Sequence, residues 1–128
     1  MGAELYRIAA QEEAELDTSR LMVLRQSLGD ERCREVVEEV VLHLTDRLSQ
    51  LQGALDSGSV ANGQALAARL ASLSEQVGLA DFARVARDLA ACLEAGDVTA
   101  TAAVAARLMR LGEDSLFSVM VYADQSAL

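Results

Sequence analysis

Proline and tryptophan are absent from this chain of 128 residues, and aromatic residues make up only 3% of it. Without proline, no helix interior loses a backbone donor or meets a ring clash. With so few aromatics, packing falls to alanine, leucine and valine, within a hydrophobic content of 52%. That combination favours long helices over a β-rich fold. Basic residues are few, 11 against 20 acids, and they do not cluster; the formal net charge is −9. An acidic surface repels phosphate backbones and anionic lipid, so neither nucleic acid nor membrane is an expected partner. Histidine occurs once, at His43, and no cysteine pair stands at ligand spacing, so no metal or cofactor is expected. Cys33 and Cys92 do not make a disulfide framework and read as buried free thiols of a reducing compartment. Long apolar runs are missing too. The N-terminus opens with Glu4, Arg7, Glu12 and Glu13, so neither a signal peptide nor a membrane span is expected there. A cytoplasmic protein is expected.

What is present is helical periodicity. The length suits one domain that can bury a core without staples. Residues 1–16 carry Leu5, Ile8 and Ala9 on one face and predict a short, loosely attached N-terminal helix. The remainder, 17–128, reads as one bundle. Asp17 is a candidate N-cap for a helix over 18–28, with Leu21, Leu24 and Leu28 facing inward. Gly29-Asp30 then ends that helix and caps the next. Over 31–56, Val37, Val41, Leu44, Leu48, Leu51 and Leu55 recur at alternating spacings of four and three, the seam of a helix packed lengthwise. Ser57-Gly58-Ser59 stops it. Leu66, Leu70, Leu73 and Val77 mark a helix over 61–77, ended by Gly78. Phe82, Val85, Ala86, Leu89 and Leu93 mark another over 80–95, ended by Gly96. Asp97 caps the last, which runs to about 123 with Val104, Leu108 and Leu111 inward. Gly112 breaks that pattern, and Leu116, Val119 and Met120 lie on a shifted face, which predicts a kink or a new start near Gly112.

A weak internal repeat stands at an offset of 38. Leu55, Gly58, Val60, Ala65, Ala67 to Leu70, and Leu73 recur as Leu93, Gly96, Val98, Ala103, Ala105 to Leu108, and Leu111. Each copy is the end of one helix, a glycine turn and the start of the next. Short turns between long helices predict antiparallel neighbours. The expected fold is therefore all-α: an antiparallel up-down four-helix bundle with one or two additional N-terminal helices.

On the 61–77 helix, Ala68 falls about 190° from the centre of the leucine stripe at roughly 100° per residue. Gln64, Ala65, Ser72 and Glu75 share its side, with Arg69 beside it. An alanine-rich surface chosen for helix propensity accounts for this face, and so does a flat surface that a partner can approach closely.

The chain resembles the histidine-phosphotransfer domain family from about residue 17 to the end. Leu28-Gly29-Asp30 resembles that family's turn after its lead-in helix. The stretch Leu48-Ser49-Gln50-Leu51-Gln52-Gly53-Ala54-Leu55 is similar to the end of its second helix. Its box then runs His-x-Leu-Lys-Gly, with a second glycine six residues later; this chain keeps Leu70 and Gly78. Phe82, Ala86, Leu89, Leu93, Gly96 and Asp97 follow the family's fourth helix and turn. The departures fall on the chemistry. The phospho-acceptor position is Ala68, which has no nitrogen to carry a phosphoryl group. The phosphate-neutralising lysine is Ala71, and the glycine that admits a receiver's active site is Ser72. Arg69 is the only cation left in the box.

The resemblance implies a phosphorelay module that keeps the family's packing and has lost its chemistry. Its expected role is to bind a response-regulator receiver domain or a histidine kinase, as regulator or scaffold. The partner-binding face would comprise Gln64, Ala65, Ala68, Arg69, Ser72 and Glu75. No catalytic set stands out: one flank histidine offers no triad, and Glu12-Glu13 and Glu38-Glu39 are adjacent acids on solvated faces. Two rivals stay open: a working phosphotransfer protein that uses His43, and a helical interaction protein unrelated to phosphorelay.

Overall fold

The computed structural model describes residues 16–126, and they are all-helical, with no strand among them. The five helices are α1 (Thr18–Leu28), α2 (Asp30–Asp56), α3 (Val60–Gln76), α4 (Ala80–Ala95) and α5 (Val98–Ser126). Each packs on the next from α1 to α5, and α5 returns to pack on α2. One hydrophobic core joins them, and it holds Leu44, Leu51, Leu70, Phe82, Leu89, Leu108 and Val119. Leu48 packs against the same cluster. Of the helix expected over 1–16, all but Leu16 lies outside the described residues.

Local chemistry explains most of the boundaries. The Asp17 side chain accepts a hydrogen bond from the Ser19 backbone N–H at 3.1 Å, the expected cap of α1. The Asp97 side chain does the same for Ala100 at 3.0 Å. Asp30 does not cap. It is the first residue of α2, and Gly29, at φ 83°, makes the junction. There Asp30 and Glu31 face the positive end of the helix dipole. Leu28, expected inside, is 42% exposed at the last residue of α1.

No new helix starts near Gly112: α5 runs unbroken from Val98 to Ser126. The glycine serves close approach instead. A Cβ at Gly112 would stand 3.2 Å from both Leu48 Cδ1 and Phe82 Cε2. Side chains of α2 and α4 therefore converge on bare backbone. The shifted apolar face is the same helix addressing two neighbours.

Gly78 has a stricter reason. Its φ is 81°, and a Cβ there would lie 2.2 Å from the Asp17 carbonyl oxygen. The Asp17 N–H also donates to the Gly78 carbonyl at 2.8 Å. The α3–α4 turn is thus clamped to the entry of α1. At that same end, the Arg25 guanidinium lies 5.2 Å from the centroid of the Tyr122 ring on α5.

These contacts predict unequal costs. Gly78→Ala should destabilise by about 2 kcal/mol or more, since it combines left-handed strain with a backbone clash. Gly58→Ala has a similar φ of 74° but nothing within 4 Å of the new Cβ. It should cost about 1 kcal/mol. Leu70→Ala, in a fully buried seam, should cost about 2–5 kcal/mol. Urea melts of the three variants read these differences directly.

Candidate functional site

The helix that carries the candidate face is not oriented by its leucines alone. Its buried residues are Gly63, Ala67, Leu70, Ala71 and Ser74. Leu66 and Leu73 are only partly buried. At 100° per residue, the buried face is turned about 70° from the leucine stripe, toward the small residues. Those small residues admit α4. A Cβ on Gly63 would come within 3.2 Å of Leu93 Cδ1 of that helix. Ser74 satisfies its buried hydroxyl by donating to the Leu70 carbonyl one turn back.

The turned helix still displays most of the expected face. Ala65, Ala68, Arg69, Ser72 and Glu75 are exposed, and Gln64 is half-buried. The face has two borders. On the α4 side, Glu75 forms an ion pair with Arg87. Gln64 is on that same side. On the α2 side, Ala65 and Arg69 line a groove of about 610 Å³ with Asp46, Arg47 and Gln50. Ala68 and Ser72 form the crest between these borders.

Arg47 and this groove were not singled out by the sequence. The signal was present: Arg47 lies one turn after His43 on the same flank of α2. What was missing was the register that sets Arg47 across from Arg69. The groove is polar, with Ser57, Ser59 and Asn62 at its far end. Asp46 is engaged within it, accepting from Gln50 Nε2 at 2.9 Å. Two guanidiniums therefore flank one side of an otherwise low-relief surface on a chain of net charge −9. Planar guanidiniums suit bidentate contacts to carboxylate or phosphate.

Ala71 departs from what the family resemblance would require of its lysine. It is 2% exposed, within the buried face of α3. A lysine there would enter the core rather than reach a phosphate. His43 is exposed on α2. It does not line the groove. Among the described residues, no cluster of histidine, cysteine, aspartate and glutamate could hold a metal ion. No helix among them is long and apolar enough to cross a membrane.

Both cysteines are free. Cys33 is buried as expected, whereas Cys92 is only partly so. Burial pushes the Cys33 thiol up; the nearby Arg25 guanidinium pulls it down and the Asp30 carboxylate adds to the rise. A raised folded pKa means that the unfolded chain ionises first. The thiol therefore leaves stability untouched below about pH 9 and weakens it as pH climbs further. At pH 8, a chromogenic disulfide reagent should modify Cys92 first and Cys33 at least about tenfold more slowly.

A second test concerns the two alanines of the box. Ala71→Lys should destabilise by about 3 kcal/mol or more, since it buries an unpaired cation. Ala68→Glu should change stability by less than about 0.5 kcal/mol, since its side chain stays in solvent. Thermal melts of both variants check this. No protein-family model, curated protein or solved structure matches the chain.

Proposed function

We propose that this chain is a phosphotransfer-type binding module without phosphoryl chemistry of its own, working in two-component signalling in the cytoplasm. It would dock on a receiver domain or a histidine kinase through the exposed face of α3 and so regulate or scaffold genuine relay partners. In this reading α2 to α5 form an antiparallel up-down bundle of the phosphotransfer type, and α1 covers one end.

The observation that carries the reading is the division of labour along α3. Leu70 is inside, and Gly78 clamps the turn that follows. Ala68, where the family places its histidine, is outside and flanked by Ala65 and Ser72. The packing positions of the box are retained, and its reactive position is a methyl group on an accessible crest. Small side chains there let a partner's backbone approach closely. Arg69 and Arg47 stand at one edge of the contact and favour an acidic partner surface.

Alanine cannot attack phosphorus, so a labelled phospho-receiver incubated with the protein should transfer no phosphate to it. The binding test uses a receiver domain or kinase recovered with the native protein and then purified. Ala68→Glu should weaken its binding by about tenfold or more, or about 1.4 kcal/mol. A bulky charge would be buried without a counter-ion in the contact. His43→Ala should bind as the parent does. Label on His43 would make the protein an active relay. Normal binding by Ala68→Glu, with loss by His43→Ala, would move the docking surface to α2. Recovery of neither receivers nor kinases would leave a helical interaction protein of another kind.

A further inference from the structure

Every basic residue of this chain is an arginine; the 11 cations include no lysine. Arg25, Arg32, Arg34, Arg84 and Arg87 each lie within ion-pair distance of an aspartate or glutamate. Arg47 and Arg69 do not, on a chain that carries 20 acids. Neither has an acid three or four residues away on its own helix. Neither forms an ion pair or a side-chain hydrogen bond among the described residues. Yet the two line one groove, Arg47 from α2 and Arg69 from α3. Arg47 is half-buried there, so its charge is partly withdrawn from water without a counter-ion. Asp46 also lines the groove, but its Oδ2 accepts from Gln50 Nε2 and it pairs with neither guanidinium. Two cations against one acid make the groove locally positive on an acidic chain.

This arrangement suits a tetrahedral dianion. A single guanidinium already engages both oxygens of a carboxylate in a bidentate contact. Two guanidiniums, one on each helix that walls the groove, exceed what one carboxylate can use. A phosphate monoester carries a charge near −2 at pH 7 and three acceptor oxygens, so each arginine can take oxygens of its own and the charges balance. The groove, at about 610 Å³, lies in the range of small-ligand sites and exceeds a lone phosphate group. Ser57, Ser59 and Asn62 line its other end. Ser59 makes no side-chain cap bond to α3, and it precedes Arg69 by about 15 Å of helical rise. Neutral hydroxyl and amide groups there meet the remainder of an ester.

We infer that Arg47 and Arg69 form a site that binds a phosphate monoester without covalent chemistry, in the groove between α2 and α3. The ester belongs either to a small organic phosphate or to a phosphorylated side chain of another protein; the arginines read the group the two share. The site borders the proposed docking face, but it rests on the charges of the groove and not on the identity of a docking partner.

The test titrates the isotope-labelled full chain at constant ionic strength and follows backbone amide shifts. The probes are inorganic phosphate, adenosine monophosphate and a phosphoserine peptide. Succinate, and the same peptide with glutamate in place of phosphoserine, are the controls. At least one of the two esters should saturate, shift residues 46–50 and 65–69, and bind about tenfold or more tightly than the controls. Tighter binding of the nucleotide assigns a small organic phosphate, and tighter binding of the peptide a phosphorylated side chain. Arg47→Gln and Arg69→Gln should each weaken that binding by about tenfold or more. Arg47→Lys keeps the charge but loses the planar fork, so it should fold as the parent does and bind less tightly. Arg20→Gln, beside Gly78 on α1, should bind as the parent does. No saturable binding, equal binding of the controls, or indifference to both groove variants would overturn the inference. So would an equal loss with Arg20→Gln, which would mark a diffuse charge effect, or a dimer dispersed by Arg69→Gln, which would give the groove to acids of a second copy. No receiver or kinase enters this titration, so its failure leaves the docking proposal standing, and failure of that proposal leaves this one standing.

Discussion

The close approach of α3 and α4 is the constraint on which the rest of this structure depends. Gly63, Ala67, Ala71 and Ser74 present almost no side-chain volume on the buried face of α3. On α4, Ala83 and Ala90 share a flank with Arg87, whose partner is Glu75 of α3. Small residues on both sides let two backbones come together, and contact is dense where side chains are short. That contact, rather than the leucine stripe, fixes the rotation of α3. The rotation puts Ala71 in the core and leaves Ala65, Ala68, Arg69 and Ser72 in solvent. A bulkier seam would turn the helix back toward its leucines and display a different surface.

Glycine has two uses in this fold. Gly58 and Gly96, at φ 74° and 70°, make left-handed turns with open space around them. Gly63, Gly78 and Gly112 are sites of contact, where a methyl group would meet Leu93, the Asp17 backbone, or Leu48 and Phe82. The contact glycines tie elements that are far apart in sequence. Gly112 lets α2 and α4 meet over α5. Gly78 joins α1 to the α3–α4 turn, so the short lead-in helix is bonded to the bundle rather than merely leaning on it.

Much of this was legible in the sequence. Capping by Asp17 and Asp97, the glycine stops and the apolar spacings predicted each helix of the described region to within a residue or two at most ends. Period and cap chemistry are local, and here they agreed with the fold. Two features were not local. The role of Gly112 depended on where Leu48 and Phe82 would arrive, and a lone glycine in a helical pattern reads the same whether it breaks or packs. The rotation of α3 depended on α4, because alanine suits either a buried seam or an exposed face. The candidate face was largely readable because Ala68 stays outside under either rotation. The groove with Arg47 was not, because register between helices is a tertiary property.

The role proposed for α3 is to present a close-approach surface to a signalling partner, with a methyl group at position 68. The most direct test maps amide shifts of the isotope-labelled protein as a purified receiver domain or histidine kinase bundle is added. Docking through α3 should concentrate the shifts at 61–76, together with Arg47 and Gln50 across the groove, and leave few on the far side of α5. Shifts centred on His43 and the outer face of α2, or no saturable shifts with either partner, would contradict it.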